Sequence, residues 1–340
     1  MSKRTVLLAF GGESSEHEVS IASARNVYAA LDDDKYDIRL CYIDKSGKWW
    51  LLDDWTETPQ AHGGTQLLIA PGTGSLITMP GSQVLHPDVI LPILHGKNGE
   101  DGTIQGLAAL AHVPIVGCGI GASALCMHKH QTKQLLKSAG IPVVDWLMVT
   151  PATIEKAQVE LHTLGDGPWF VKPSRAGSSV GVSKVESPDG LRAALELALQ
   201  HDDVALVERA ITGRELEVAV LGNPPSHQAS GVGEIIPGAD FYDYDDKYSS
   251  ASASRVVLQA DLPEDTKERI RTLALAAYQE LDCRGLARVD FLLSDDSTPY
   301  LNEVNTMPGF TNISMYPKLW QQTGLRYPQL VDRLIELAFE

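Results

Sequence analysis

Two stretches near the N-terminus, TVLLAF (5–10) and DVILPILHG (88–96), carry unbroken apolar runs of strand length. Successive side chains on a strand point to opposite faces, so a strand with one wet face alternates polar and apolar residues. A run without alternation must be covered on both faces, and helices returning between parallel strands supply that cover. TVLLAF ends in Gly-Gly and precedes HEVSIASARNVYAAL (17–31), whose apolar residues recur at helical spacing. YDIRLCYID (36–44) reads as the next strand and VPIVG (113–117) as a further buried one, while residues 45–86, rich in Gly, Pro, Thr and Trp, read as hairpins and loops. Strands alternating with helices predict an α/β unit with a doubly wound parallel sheet, whose ligands lie beyond the strand C-terminal ends.

A chain of 340 residues exceeds one ordinary core, and about two or three domains are expected. A second unit begins near Ser123, where ALCMHKHQTKQLLKSAG (124–140) reads as one helix closed by Gly140. WFVKPSRAGSSVGVSKV (169–185) reads as strand, Gly/Ser turn and strand; LRAALELALQ (191–200) as a helix; VALVERAI (204–211) as a strand. From about 213 the chain is strand-rich and has α+β character: ELEVAVLG, SRVVLQA, the helix EDTKERIRTLALAAYQEL (264–281), the strand pair ARVDFLL and PYLNEVN, and a closing helix. The divisions fall at 1–122, 123–212 and 213–340.

Composition excludes several functions. With 28 Lys and Arg against 44 Asp and Glu, the formal charge is −16, which opposes nucleic acid or an anionic membrane as the main partner. A small phosphorylated ligand needs only a few local cations and a metal. The apolar run in MSKRTVLLAFGG is too short for a signal-peptide core. Residues 102–128 carry no Asp, Glu, Lys or Arg, but Pro114 and four glycines interrupt them, so they read as helix, strand, loop and helix rather than a membrane span. Cys41, Cys118, Cys126 and Cys283 form no CxxC pair; Cys118 and Cys126 sit in apolar surroundings and read as buried free thiols, which fits a reduced, cytoplasmic setting.

Four elements carry chemistry. In ARVDFLLSDDSTPYLNEVNTMPGF (287–310), Asp290, Glu303 and Asn305 lie on adjacent strand-like runs, with Glu303 and Asn305 on one face, as are Arg288 and Asp290. Two carboxylates and an amide suit Mg²⁺, which completes its shell with phosphate oxygens and water. In VKPSRAGSSVGV, small residues at 176–179 and Gly181 allow backbone N–H groups to approach an anion, with Lys172 on the entering strand. In GGESSEHEVS (11–20), Ser14 or Ser15 is placed to cap the helix with Glu18 as its partner, while Glu16 and His17 crowd the strand end. LHGKNGEDGT (94–103) brings His95, Glu100 and Asp101 to a second strand end. No GxxxxGK[ST] loop is present, and the GxGxxA match at 117–122 lacks a convincing acidic partner. FYDYDDKYSSASAS (241–254) has no apolar run at helical or strand spacing and reads as a surface loop.

Taken in order, GGESSEHEVS, HGKNGEDGT, MHKHQTK, KPSRAGSSVG, YDYDDKY, RVDF and NEVNTMPGFTNISMYP cover nearly the whole chain and resemble the D-alanine–D-alanine ligases of the ATP-grasp superfamily. The resemblance implies a three-domain ATP-grasp fold, ATP and two Mg²⁺ ions (with Mn²⁺ as a substitute), a cytoplasmic homodimer and synthesis of D-alanyl-D-alanine for bacterial peptidoglycan through D-alanyl phosphate. It places ATP between the central and C-terminal units. Lys129 and Lys172 would bind phosphates, Glu208 would sit by the adenine and Glu215 near the ribose. Ser178 and Ser179 would cover the γ-phosphate. Asp290, Glu303 and Asn305 would hold the metal ions. Lys247 would reach the γ-phosphate from a lid at 240–255. Arg288 and the Gly309 N–H would stabilise the oxyanion. Glu16 would bind the ammonium of the first D-alanine, with His95 nearby, and Ser314 the carboxylate of the second. Ser178, Glu16 and Tyr248 would form a hydrogen-bonded trio.

The chain departs from the commonest pattern at Arg209, often Lys, and in the length of 45–86; Met315 adjoins the second subsite. A D-alanine–D-lactate ligase and a non-catalytic ATP-binding protein are the competing functions. Lys247-Tyr248 favours the dipeptide over the depsipeptide, and the presence of Arg288 and all three metal ligands favours catalysis.

Overall fold

The structure, a computed structural model, describes residues 3–56, 58–59, 64–238 and 254–340. Strands β1 (Arg4–Gly11), β2 (Tyr36–Ile43), β3 (Trp49–Leu52), β4 (Thr65–Ala70), β5 (Ser75–Met79), β6 (Val84–Leu85) and β7 (Val89–Ile93) form one sheet in the order β6-β5-β4-β3-β2-β1-β7. The two apolar runs lie side by side: β1 pairs in parallel with β2 and with β7, and Val6–Gly11 and all of β7 are buried. Helix α1 (His17–Ala30) returns the chain from β1 to β2. The stretch 45–86 does form hairpins, and β3 to β6 extend the parallel centre antiparallel, so the sheet is mixed. VPIVG makes only a bridge rather than a strand. Ile115 pairs with Ile90 alone, because Pro114 accepts from the Ile90 N–H through its carbonyl but has no N–H to continue the ladder.

After helix α2 (Thr103–Ala111), the expected single helix over 124–140 is two, α3 (Ile120–Met127) and α4 (Lys129–Ser138). The break falls at His128, whose backbone is not helical (φ −91, ψ 84). There the Lys129 N–H leaves the helix ladder for the Ser174 carbonyl at 3.0 Å. β8 (Trp146–Val149), β9 (Trp169–Pro173), β10 (Ser183–Val185) and β11 (Ala205–Arg209) form an antiparallel sheet, order β10-β9-β11-β8. The turn between β9 and β10 is the Gly/Ser loop.

The third sheet, order β14-β13-β12-β15-β16, contains β12 (Gly213–Leu221), β13 (Gln228–Ile236), β14 (Arg255–Val257), β15 (Leu286–Ser294) and β16 (Pro299–Asn305). β15 alternates: Val289, Phe291 and Leu293 pack on a core with Ile270, Ala274 and Tyr278 of the helix Glu264–Glu280, and Arg288 and Asp290 face the other way. The outer edge of β16 is met by the chain after α4. The Leu301 N–H donates to the Pro142 carbonyl at 2.8 Å, and Val143 bridges Leu301 in parallel. The expected closing helix is also two, Met315–Gln322 and Tyr327–Leu337, parted at Gly324 and restarted by Pro328. No helix among the described residues is long and apolar enough to cross a membrane.

The end of β1 is held by backbone geometry. Gly11 has φ +95, its N–H donates to Ser20 Oγ at 2.8 Å, and a Cβ there would lie 2.2 Å from the Ile43 carbonyl oxygen. Gly11→Ala is therefore expected to lower unfolding stability by about 2 kcal/mol or more, read from the shift of a urea midpoint at unchanged slope.

Candidate active site

The loops beyond β1 and β7, the Gly/Ser loop, and the inner faces of β12, β15 and β16 enclose a cleft of about 1200 Å³. Glu16, His95, Lys129, Lys172, Ser178, Ser179, Glu208, Glu215, Arg288, Asp290, Glu303, Asn305, Gly309 and Ser314 all line it. They come from positions nearly 300 residues apart in the chain. Lys247 and Tyr248, with the loop that carries them, lie outside the described residues.

At one end, Ser178 Oγ donates to Glu16 Oε1 at 2.5 Å, joining the Gly/Ser loop to the loop after β1. Ser178 and Ser179 hold left-handed conformations (φ +50 and +60), which turns the loop over the cleft. Glu16 Oε2 fills the space that a side chain on Gly96 would need, 2.9 Å from its Cβ position. Ser14 is not the cap residue of α1, which is Glu16; its Oγ accepts the Glu16 N–H at 3.2 Å and donates to the His95 carbonyl at 2.6 Å, which ties the two strand ends together. His95 is buried. Its Nδ1 lies 3.1 Å from the Met307 carbonyl and its Nε2 3.1 Å from Ser23 Oγ. A carbonyl only accepts, so Nδ1 carries the proton, and burial depresses the imidazole pKa and keeps the ring neutral.

Glu100, which the sequence places at this strand end without a role, is half-buried here. Its Oε2 accepts the Gly96 N–H at 2.7 Å. Burial and the neighbouring Glu16 charge push its carboxyl up to about 8.

In the middle, Arg288 grips Asp290 with two bonds, Nε to Oδ1 at 2.8 Å and Nη2 to Oδ2 at 2.7 Å, and its Nε is 3.2 Å from Glu217 Oε2. Burial disfavours the cation, but Asp290 and Glu217 hold the guanidinium well above its usual range, so it stays charged. Asn305 Nδ2 donates to Asp290 Oδ2 at 2.9 Å. Across the ladder Asp290 stands opposite Glu303 and Arg288 opposite Asn305. Lys129 Nζ donates to the Ala176 carbonyl at 2.7 Å and lies 3.6 Å from Glu303 Oε2. Two carboxylates and an amide on one face match the oxygen chemistry of a divalent cation. Among the described residues no group of three or more His, Cys, Asp or Glu forms a metal cage. A hard cation here would need oxygens from a bound phosphate to complete its shell, which is how Mg²⁺ is usually held beside nucleotides.

At the far end, Glu208 is buried between two lysines, Lys172 at 2.8 Å and Lys133 at 3.0 Å. Burial opposes its charge, yet the two cations hold its carboxyl below the usual range. Lys133 carries no role in the sequence reading, although its position one helical turn after Lys129 puts both on one face of α4. Near the opposite wall, Ser314 Oγ accepts the Thr311 N–H at 3.0 Å and fills the space beside Gly309, 2.7 Å from where a Cβ would stand.

Comparisons with known proteins agree with this assembly. The model of the D-ala D-ala ligase N-terminus matches residues 5–118, and that of the D-ala D-ala ligase C-terminus matches 135–336. D-alanine–D-alanine ligase A of Chromobacterium violaceum is 46% identical, over all of this chain and 96% of its own. The solved D-alanine–D-alanine ligase of Coxiella burnetii superposes with a TM-score of 0.89 at 37% identity, covering 99% of this chain and 94% of that one. The VanG D-Ala:D-Ser ligase of Enterococcus faecalis gives 0.91 at 35%, covering 99% and 100%. With both family models matched and near-complete coverage at this identity, the chain belongs to the D-alanine–D-alanine ligase family.

Proposed function

We propose that the cleft joins two D-alanines into D-alanyl-D-alanine while ATP is converted to ADP and phosphate, as an ADP-forming ligase of cell-wall synthesis. The observation that carries this reading is the gathering of acids, lysines and Arg288 from three sheets into one cleft. A carboxylate resists amines at neutral pH because it repels nucleophiles and has no good leaving group. Transfer of the γ-phosphoryl group to a carboxylate oxygen of the first D-alanine gives D-alanyl phosphate. The amine of the second D-alanine then adds, and phosphate leaves from the tetrahedral intermediate. The protein supplies position and charge.

In this reading Glu16 takes the first ammonium. Neutral His95 lies against the same substrate, and Ser314 meets the second carboxylate. A guanidinium has five N–H donors and the grip on Asp290 uses two, so others remain for the transferring phosphoryl group and, with the Gly309 N–H, for the oxyanion. Lys129 and Lys172 take phosphates, Ser178 and Ser179 cover them, and Glu208 and Glu215 face the adenine and ribose. Asp290, Glu303 and Asn305 would hold two Mg²⁺ ions, or Mn²⁺ in their place, whose charge would offset that of the phosphates. Lys247 and Tyr248 would close over ATP from the 240–255 segment, excluding water that would hydrolyse the acyl phosphate. Domain limits at 122 and 212, a homodimer and a cytoplasmic setting complete the proposal; the four buried free thiols support a reducing compartment.

A product assay with Mg-ATP and D-alanine, alone or with D-serine, D-lactate or L-alanine, tests the function. D-alanyl-D-alanine with matching phosphate release is expected; depsipeptide as main product, or phosphate release independent of D-alanine, overturns it. Arg288→Ala should lower turnover by at least about a hundredfold, the scale of losing one oxyanion donor, and near wild-type turnover would remove Arg288 from the chemistry.

Glu100 gives a pH signature. Its folded carboxyl binds a proton more tightly than the unfolded one, so between pH 4.5 and about 8 the folded state holds the extra proton and stability falls as pH rises. Glu100→Gln removes this slope. The Tm of the variant should gain on wild type from pH 5 to pH 9 in calorimetry, and parallel curves would show that the carboxyl is not perturbed.

A further inference from the structure

Helix α4 presents two lysines to the cleft wall, and only one of them reaches the cleft. Lys129 lines it, whereas Lys133 is 1% exposed and does not. Lys133 Nζ donates to the Val144 carbonyl at 2.9 Å, stands 3.0 Å from Glu208 Oε1 and lies 5.6 Å from the centre of the Trp146 ring. The other oxygen of Glu208 meets Lys172 Nζ at 2.8 Å, and that ammonium also lies 3.4 Å from Asn302 Oδ1. The three charges form a row, Lys133–Glu208–Lys172, running from the interior to the cleft.

One buried carboxylate needs one cation. A second buried ammonium is costly, since removing an ion from water is penalised even after the surroundings relax. The row therefore holds a surplus positive charge, and only the Lys172 end faces the cleft. Lys133 cannot supply it, because its ammonium is tied to Val144 and packed against Trp146. Lys172 can, but leaving Glu208 would strand a buried carboxylate unless another cation stayed behind.

We propose that Lys133 is a positioning residue for nucleotide binding: it holds the charge of Glu208 so that Lys172 can leave that carboxylate and turn its ammonium to a phosphate. This rests on the reading of the cleft as the ATP site. The exchange trades one ion pair for another, with Glu208 compensated throughout. Without Lys133 the direct ion-pair partner left to Glu208 among the described residues would be Lys172, and every phosphate would compete with a buried carboxylate for it.

The test is Lys133→Gln, which keeps a donor for Val144 and removes the charge, with affinities for Mg-ADP and for adenosine measured by calorimetry. ADP should weaken by at least about tenfold, the scale of a lost charge-assisted hydrogen bond, and adenosine by less than about twofold. Lys133→Arg should recover most of the loss. Equal weakening of both ligands would assign Lys133 a packing role, and unchanged ADP affinity would overturn the proposal directly. In a Glu208→Gln background, which also spares the fold a lone buried charge, Lys133→Gln should leave the ADP-to-adenosine ratio unchanged; a further tenfold loss there would refute it. Lys172→Gln checks the underlying reading separately. If that variant binds ADP as tightly as wild type, Lys172 is not a phosphate ligand and the site assignment itself falls.

Discussion

The bidentate pair between Arg288 and Asp290 is the constraint around which the cleft is arranged. Both residues sit on the face of β15 opposite Val289, Phe291 and Leu293, so the strand that anchors the C-terminal core also aims the pair at the site. The fork geometry of a guanidinium on a carboxylate fixes orientation as well as charge. Asn305 and Glu303 take their places from the ladder with β16, and Glu217 of β12 closes the group from the other neighbour. A buried cation of this kind is tolerated only when acids surround it, and those acids in turn demand more cations, Lys129 among them.

Much of this was legible in the residues. The apolar runs of β1 and β7 cannot be half-exposed, so their parallel, covered placement follows from side-chain alternation alone. The two-residue spacing of Arg288 and Asp290, and of Glu303 and Asn305, likewise announces a shared face. Other features depend on partners remote in sequence. Strand β13 has Gly231 and Gly233, which dilute a strand pattern. The second is there because Met315 Sδ occupies the space of its missing side chain, 2.8 Å from a Cβ position. The break at His128 is invisible in a helical run, since its cause is the Ser174 carbonyl. Ser14 fits a helix cap by spacing, but α1 starts after Glu16, so the Ser14 hydroxyl accepts only the Glu16 N–H and donates to a carbonyl of the neighbouring strand end.

The charges missed by sequence reasoning, Glu100 and Lys133, share a trait. Each is a group whose ionised form is penalised by burial; Glu100 lines the cleft beside Glu16, and Lys133 stands behind Lys172. Sequence spacing identifies residues that could meet a ligand. It does not identify those that set the electrical background, because that background depends on which groups the fold desolvates together.

The contact between Pro142–Val143 and β16 bears on more than topology. β16 is the border strand of its sheet, and a border strand with open N–H and C=O groups invites pairing with another chain. Here the backbone just past α4 occupies that border. The same seam joins the helix that begins with Lys129 to the strand that carries Glu303. The spacing between this ammonium and this carboxylate is thus gauged by main-chain hydrogen bonding. Side-chain attraction has only to settle within a gap already measured out by the backbone.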